Sequence, residues 1–148
     1  MKTRMRVGAG LIALACASSL WADDGVRPAK SEKFSIGHVW RYKTREGETD
    51  SRVHIGRIES IRDQVVIHVK LTGLSIRAGG QTGSVIAHTP IAEDSLAGSV
   101  VELTQEPADL GHFDEGYAGW REAFDAGGAG WFTISLAEIV ATIETSLN

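Results

Sequence analysis

The chain has a single cysteine, Cys16, and it lies near the start. No internal disulfide can form, and no Cys-x-x-Cys pair is present to hold zinc or run dithiol chemistry. Proline is nearly as scarce, at three residues in 148, so a Pro-rich linker or polyproline recognition segment is excluded. Beyond residue 22 no apolar run approaches the roughly 20 residues that a spanning helix requires. The signatures of familiar sites are missing too: there is no His-Glu-x-x-His and no Gly-x-Ser-x-Gly. Gly79, Gly80 and Gly83 lack both the strand-to-helix context of a dinucleotide site and the lysine of a phosphate loop. Positive charge is absent from the second half, where residues 81–148 hold one basic residue, Arg121, against 11 acids.

What is present begins with an address. Lys2, Arg4 and Arg6 precede an uncharged run from Val7 to Leu20, which reads as an export signal. Two cuts compete. One follows Ala22 and makes residues 1–22 the signal peptide of a periplasmic or secreted protein. The other follows Ala15 in Ala13-Leu14-Ala15-Cys16, which resembles a bacterial lipobox although Ala13 stands where leucine is usual. Residues 1–15 are then a lipoprotein signal, and Cys16 carries lipid and anchors the chain to the envelope. Residues 23–33 read as a flexible leader and 34–148 as one domain, a length suited to one core.

Removing Lys2, Arg4 and Arg6 leaves 12 basic residues against 19 acids, a formal charge of 12 − 19 = −7, which argues against nonspecific nucleic-acid binding. Residues 23–80 carry 11 basic and 8 acidic side chains, or +3, whereas residues 81–148 carry −10. The simplest account is that the halves attract one another across a shared interface.

The basic half reads as strands. Residues 38–45 alternate Trp40 and Tyr42 with Arg41, Lys43 and Arg45, the period-two pattern of a sheet with one wet face. In residues 51–61, Val53 and Ile55 share one parity and Ile58 takes the other, which predicts a bulge near Gly56. A turn at 62–64 leads into Val65 to Leu71, where Val65, Ile67, Val69 and Leu71 share a face, and Leu74 to Ile76 reads as a fourth strand. The acidic half changes period: helices are predicted over 93–105, over 114–126 with Gly127-Gly128 as a stop, and after a Ser135/Glu138 capping box. The fold class expected is α+β, an antiparallel three- or four-stranded meander followed by three short helices packed on the sheet. Trp40, Tyr42, Ile67, Val69, Trp120, Phe124 and Ile139 are expected to be buried together.

No catalytic, metal or cofactor residue is assigned. His112 beside Asp114 and Glu115, and His88 ahead of Glu93 and Asp94, supply suitable groups at spacings that match no specific site, and the acids suit helix N-termini. His54 and His68 approach one another if the turn at Asp63 is tight. The best partner-binding candidate is the wet face of the first strand, with Arg41, Lys43 and Arg45 on it, facing an acidic protein or an anionic envelope surface.

Taken as a set, residues 37–45, Ile67-His68-Val69, His88-Thr89-Pro90, residues 115–120 and Gly130-Trp131-Phe132-Thr133-Ile134 resemble a group of short bacterial exported proteins. The resemblance implies a bacterial single-domain protein and carries no activity, cofactor or site residue. The expectation is a small non-catalytic binding or interaction module of the periplasm or envelope. The alternatives are a structural envelope lipoprotein and, third, a small exported hydrolase.

Overall fold

The computed structural model describes residues 25–148; the expected signal, both candidate cleavage sites and Cys16 lie outside the described residues. The protein is α+β, with an antiparallel sheet and three helices. The strands are β1 (Arg27–Pro28), β2 (Val39–Tyr42), β3 (Arg52–Ile61), β4 (Gln64–Thr72), β5 (Ile76–Ala78), β6 (Gln81–Gly83), β7 (Ile86–Ala92) and β8 (Val100–Leu103). The helices are α1 (Glu93–Ser99), α2 (Phe113–Asp125) and α3 (Leu136–Ser146).

The sheet has six strands in the order β7-β4-β3-β2-β8, with β1 beside the far end of β3, so the three- or four-stranded meander is too small. Its centre is the β3–β4 hairpin, closed by Arg62 and Asp63, both left-handed as a tight two-residue turn demands. The predicted fourth strand is shifted to β5 and pairs with β6 in a separate hairpin, turned by Gly79 and Gly80. The predicted 93–105 helix stops at Ser99. Val100 and Val101, β-branched, continue as β8 against β2, where ladder bonds outweigh the helical spacing of Leu96, Val100 and Leu103. Residues 86–92 form a strand despite Pro90, because β7 lies at the sheet margin; Phe132 covers that margin through bonds to Pro90 O and from Ala92 N.

The expected single core is two cores, one on each side of the sheet. Ile67, Val69 and Leu71 of β4 face α1 and α3, packing with Trp40, Tyr42, Leu96, Leu136, Ile139 and Val140. Val66 and Ile61 face α2 and pack with Phe124 and the partly buried Trp120. The capping box at Ser135 and Glu138 starts α3 as predicted, and Gly127 in the left-handed region ends α2.

Candidate functional site

The bulge forms where β3 slips against β4 between Ile55 and Arg57. Before it, odd-numbered side chains face the α1/α3 core; after it, Arg57, Glu59 and Ile61 face α2. Gly56 is required there, because a Cβ would stand 2.3 Å from the Phe113 ring. One inserted residue therefore carries an arginine and a glutamate onto the same face as His54, His68 and Lys70.

Glu59 is the centre of the arrangement. It is 3% exposed, and its Oε1 accepts the Tyr117 hydroxyl at 2.5 Å. Arg57 Nη1 and His68 Nε2 each stand 3.7 Å from the same oxygen. Glu59 Oε2 and His68 Nε2 are buried with no hydrogen-bond partner among the described residues. Behind the glutamate, His68 Nδ1 and His88 Nε2 lie 2.9 Å apart. The carboxylate facing Nε2 of His68 favours the proton there, so Nδ1 accepts from His88 Nε2–H. Burial, followed by the neighbouring His88, Arg57 and Arg121, holds His68 down at about 3; burial and then Arg57 hold His88 at about 4. Both rings are neutral at neutral pH. Burial, then the bond to Glu59, pushes the Tyr117 phenol up. Trp120 and Tyr117 close edge-on over His68, at ring separations of 4.7 and 5.0 Å.

A second polar cluster lies further along the same face. Lys70 Nζ donates to Asp109 Oδ1 at 3.1 Å and to Gly111 O at 2.8 Å. His54 Nδ1 accepts the Asp109 N–H at 3.0 Å, which leaves its Nε2–H to donate to Thr72 at 2.9 Å. These bonds tie the 104–112 connection to the sheet. The register sets His54 opposite Lys70 and His68 opposite Arg57, so His54 and His68 do not pair; His68 meets His88 instead.

The other sequence candidates are dispersed. His112 and Glu115 bond to each other at 3.2 Å on the open surface. Glu93 and Asp94 sit in the first turn of α1, where Glu93 accepts from Ser31, away from His88. Of Arg41, Lys43 and Arg45, Arg41 alone lies in a strand, since β2 ends at Tyr42, and the alternation argument reaches no further. Arg41 pairs with Glu102 at 3.1 Å, and Lys43 donates to Gly98 O. Arg45 forks onto Glu48 at 2.6 and 3.0 Å and reaches Glu144 at 3.0 Å.

The feature that sequence reasoning missed is a groove at the split margin of β3. Strand β2 leaves β3 after Val53 and His54, and β1 joins it at Glu59 and Ser60, opening a gap opposite the bulge. A hollow of about 380 Å³ fills it, with Arg57, Glu59 and Tyr117 on one side and Val26, Pro28 and Ile58 on the other. A second hollow of about 270 Å³, floored by Phe34, adjoins it and shares Ala29, Ile36 and Ile58. Ile36, 62% exposed, forms the lip between them. The parity break at Gly56 was the available signal, since it implies that Arg57 and Glu59 lie on the face opposite Val53 and Ile55. No family model, curated protein or solved structure matches this chain.

Proposed function

We propose that this chain is an exported, non-catalytic binding module of the periplasm or envelope, and that the paired hollow at the split sheet margin is its ligand seat. The hollow itself carries the reading: it is concave, walled by Pro28, Ile36 and Ile58, and set with a few convergent polar groups, the composition of a small-molecule site. Its first compartment, about 380 Å³, falls within the size range such sites occupy. The histidines support binding over hydrolysis. His68 and His88 are neutral and bonded to each other, and neither ring bonds a Ser, Thr or Cys side chain among the described residues, so no activated nucleophile accompanies them.

The reading is tested on protein purified from its native envelope. Small molecules released on denaturation are identified by mass spectrometry, for the natural chain and for Ile36→Asp, which places a charge on the apolar lip. The expected result is a defined set of molecules with the natural chain and its loss with Ile36→Asp. The same set from both, or none from either, removes the hollow as the ligand seat.

A further inference from the structure

The binding reading leaves the ligand's chemistry open, and the groups around the hollow narrow it. Arg57 is the decisive residue. Arg41, Arg45 and Arg52 each hold a carboxylate at hydrogen-bond distance, whereas Arg57 Nη1 stands 3.7 Å from Glu59, beyond the roughly 2.7–2.9 Å of a charge-assisted bond. Its guanidinium makes no hydrogen bond among the described residues, its side chain is 46% exposed, and it is held 4.0 Å above the Tyr117 ring. Stacking on the ring fixes the plane of the fork without using its donors. An arginine so placed is preorganised for an external anion, and a carboxylate is a bidentate partner that fits a guanidinium fork. Glu59 leaves the donors of the fork unbonded: its Oε1 accepts from Tyr117 and stands 3.7 Å from Arg57 Nη1.

From Arg57 the surface runs along Ile58, Ala29 and the exposed Ile36 into the second hollow over Phe34. Ala29, Ile36, Ile58 and Phe34 make a continuous apolar strip, with Lys30, Ser31 and Ser35 also lining the second hollow, and that strip suits an extended hydrocarbon chain. Resting on the binding reading above, we propose that the ligand is an amphipathic carboxylate, with its head on the Arg57 fork and its chain lying from Ile58 across Ile36 toward Phe34.

The test is calorimetric titration of the purified chain with straight-chain carboxylates from hexanoate to dodecanoate, all below their micellar concentrations, beside dodecanol and dodecyltrimethylammonium. Affinity should rise roughly fourfold per added methylene until the two hollows are filled and then level off, which partition into micelles would not do. Dodecanoate should bind about tenfold tighter than dodecanol, and the ammonium weakest. Arg57→Gln, checked for fold by near-ultraviolet circular dichroism, should reduce dodecanoate to the level of dodecanol, and Arg57→Lys should restore part of the difference. Equal binding of dodecanoate and dodecanol to the natural chain overturns the carboxylate inference whether or not any variant folds. So does a preference that survives Arg57→Gln. If chains bind without head-group preference and Ile36→Asp abolishes them, the ligand seat stands and this inference falls. If no chain binds, this inference falls; if chains bind and Ile36→Asp changes nothing, both fall together.

Discussion

Glu48 is 2% exposed and yet ionised: burial raises its carboxyl, but the Arg45 fork and the Ser75 N–H outweigh burial and leave it below the ordinary carboxylate value. The arginine is therefore the guarantor of a buried charge, whereas Arg41, paired with Glu102 in open solvent, guarantees nothing. Arg45→Gln is expected to cost about 3 kcal/mol, because breaking a buried pair strands the remaining ion. Arg41→Gln should stay within about 1 kcal/mol. Urea unfolding of the two single variants checks the contrast, and equal costs would refute this account of the basic segment. The histidine pair gives a prediction of a different kind. Unfolded, His68 and His88 take up protons near 6.5; folded, they resist until about 3 and about 4. The unfolded state thus binds more protons in between, so this contribution is complete above pH 6.5 and is lost as the pH falls. Unfolding free energy should drop between pH 6.5 and 5, by up to about 1.4 kcal/mol per pH unit for each proton taken up, and His68→Gln should make the slope shallower. An unchanged slope in that variant would show that His68 is not one of the groups responsible.

Among the elements, the bulge has the widest consequences, since it determines which β3 side chains meet α2. Gly56→Ala forces the Phe113 ring to move, and such overpacking costs about 1–3 kcal/mol. The melting midpoint should fall, and cross-peaks between Tyr117 and Arg57 in the NMR spectrum should weaken; a variant with native midpoint and native cross-peaks would mean that the ring relocates freely. The bulge was legible in the sequence because Val53, Ile55 and Ile58 break parity around a glycine. The β4 strand and the α3 capping box were legible for the same kind of reason, a local pattern with a local cause. Strands β7 and β8 were not. Pro90 signals a break unless the strand lies at a margin, and Val100 is helix-compatible unless β2 is there to pair with it. Both conditions belong to the sheet as a whole, and no window of sequence contains them. The groove was hidden likewise, because it is a gap between β1 and β2, which are distant along the chain from Tyr117.

At the scale of the whole molecule, the charge asymmetry between the halves has a visible use. Arg41, Arg45, Arg52 and Lys70 from the basic half meet Glu102, Glu144, Glu106 and Asp109 from the acidic half. The expectation that the halves attract one another thus has four named contacts behind it. The export reading is tested on the intact chain in a bacterial host. The mass of the mature N-terminus should match a cut after Ala22, or a lipidated Cys16 that disappears in Cys16→Ser. An unprocessed Met1 on envelope-resident protein would contradict both cleavage proposals.

The two sides of the sheet differ in what they are made of, and the difference sets an order of events. The α1/α3 side is closed by aliphatic and aromatic packing; the α2 side is held partly by Phe124 and Trp120 and partly by Glu59, His68, Lys70 and their polar partners. Polar partners can be replaced by water as a layer lifts, and buried hydrocarbon cannot, so α2 is the layer that opens first. Amide hydrogen exchange should therefore find α2 protons exchanging through a partial opening while those of β4 and α3 wait for global unfolding. Both openings should become easier as the pH falls below 6.5, where the released His68 and His88 take up protons that the closed state refuses. Uniform protection across α2, β4 and α3 would show that the molecule opens only as a whole. An early-opening α2 carries Tyr117, one wall of the groove, so the weakest seam of the fold borders the proposed ligand seat.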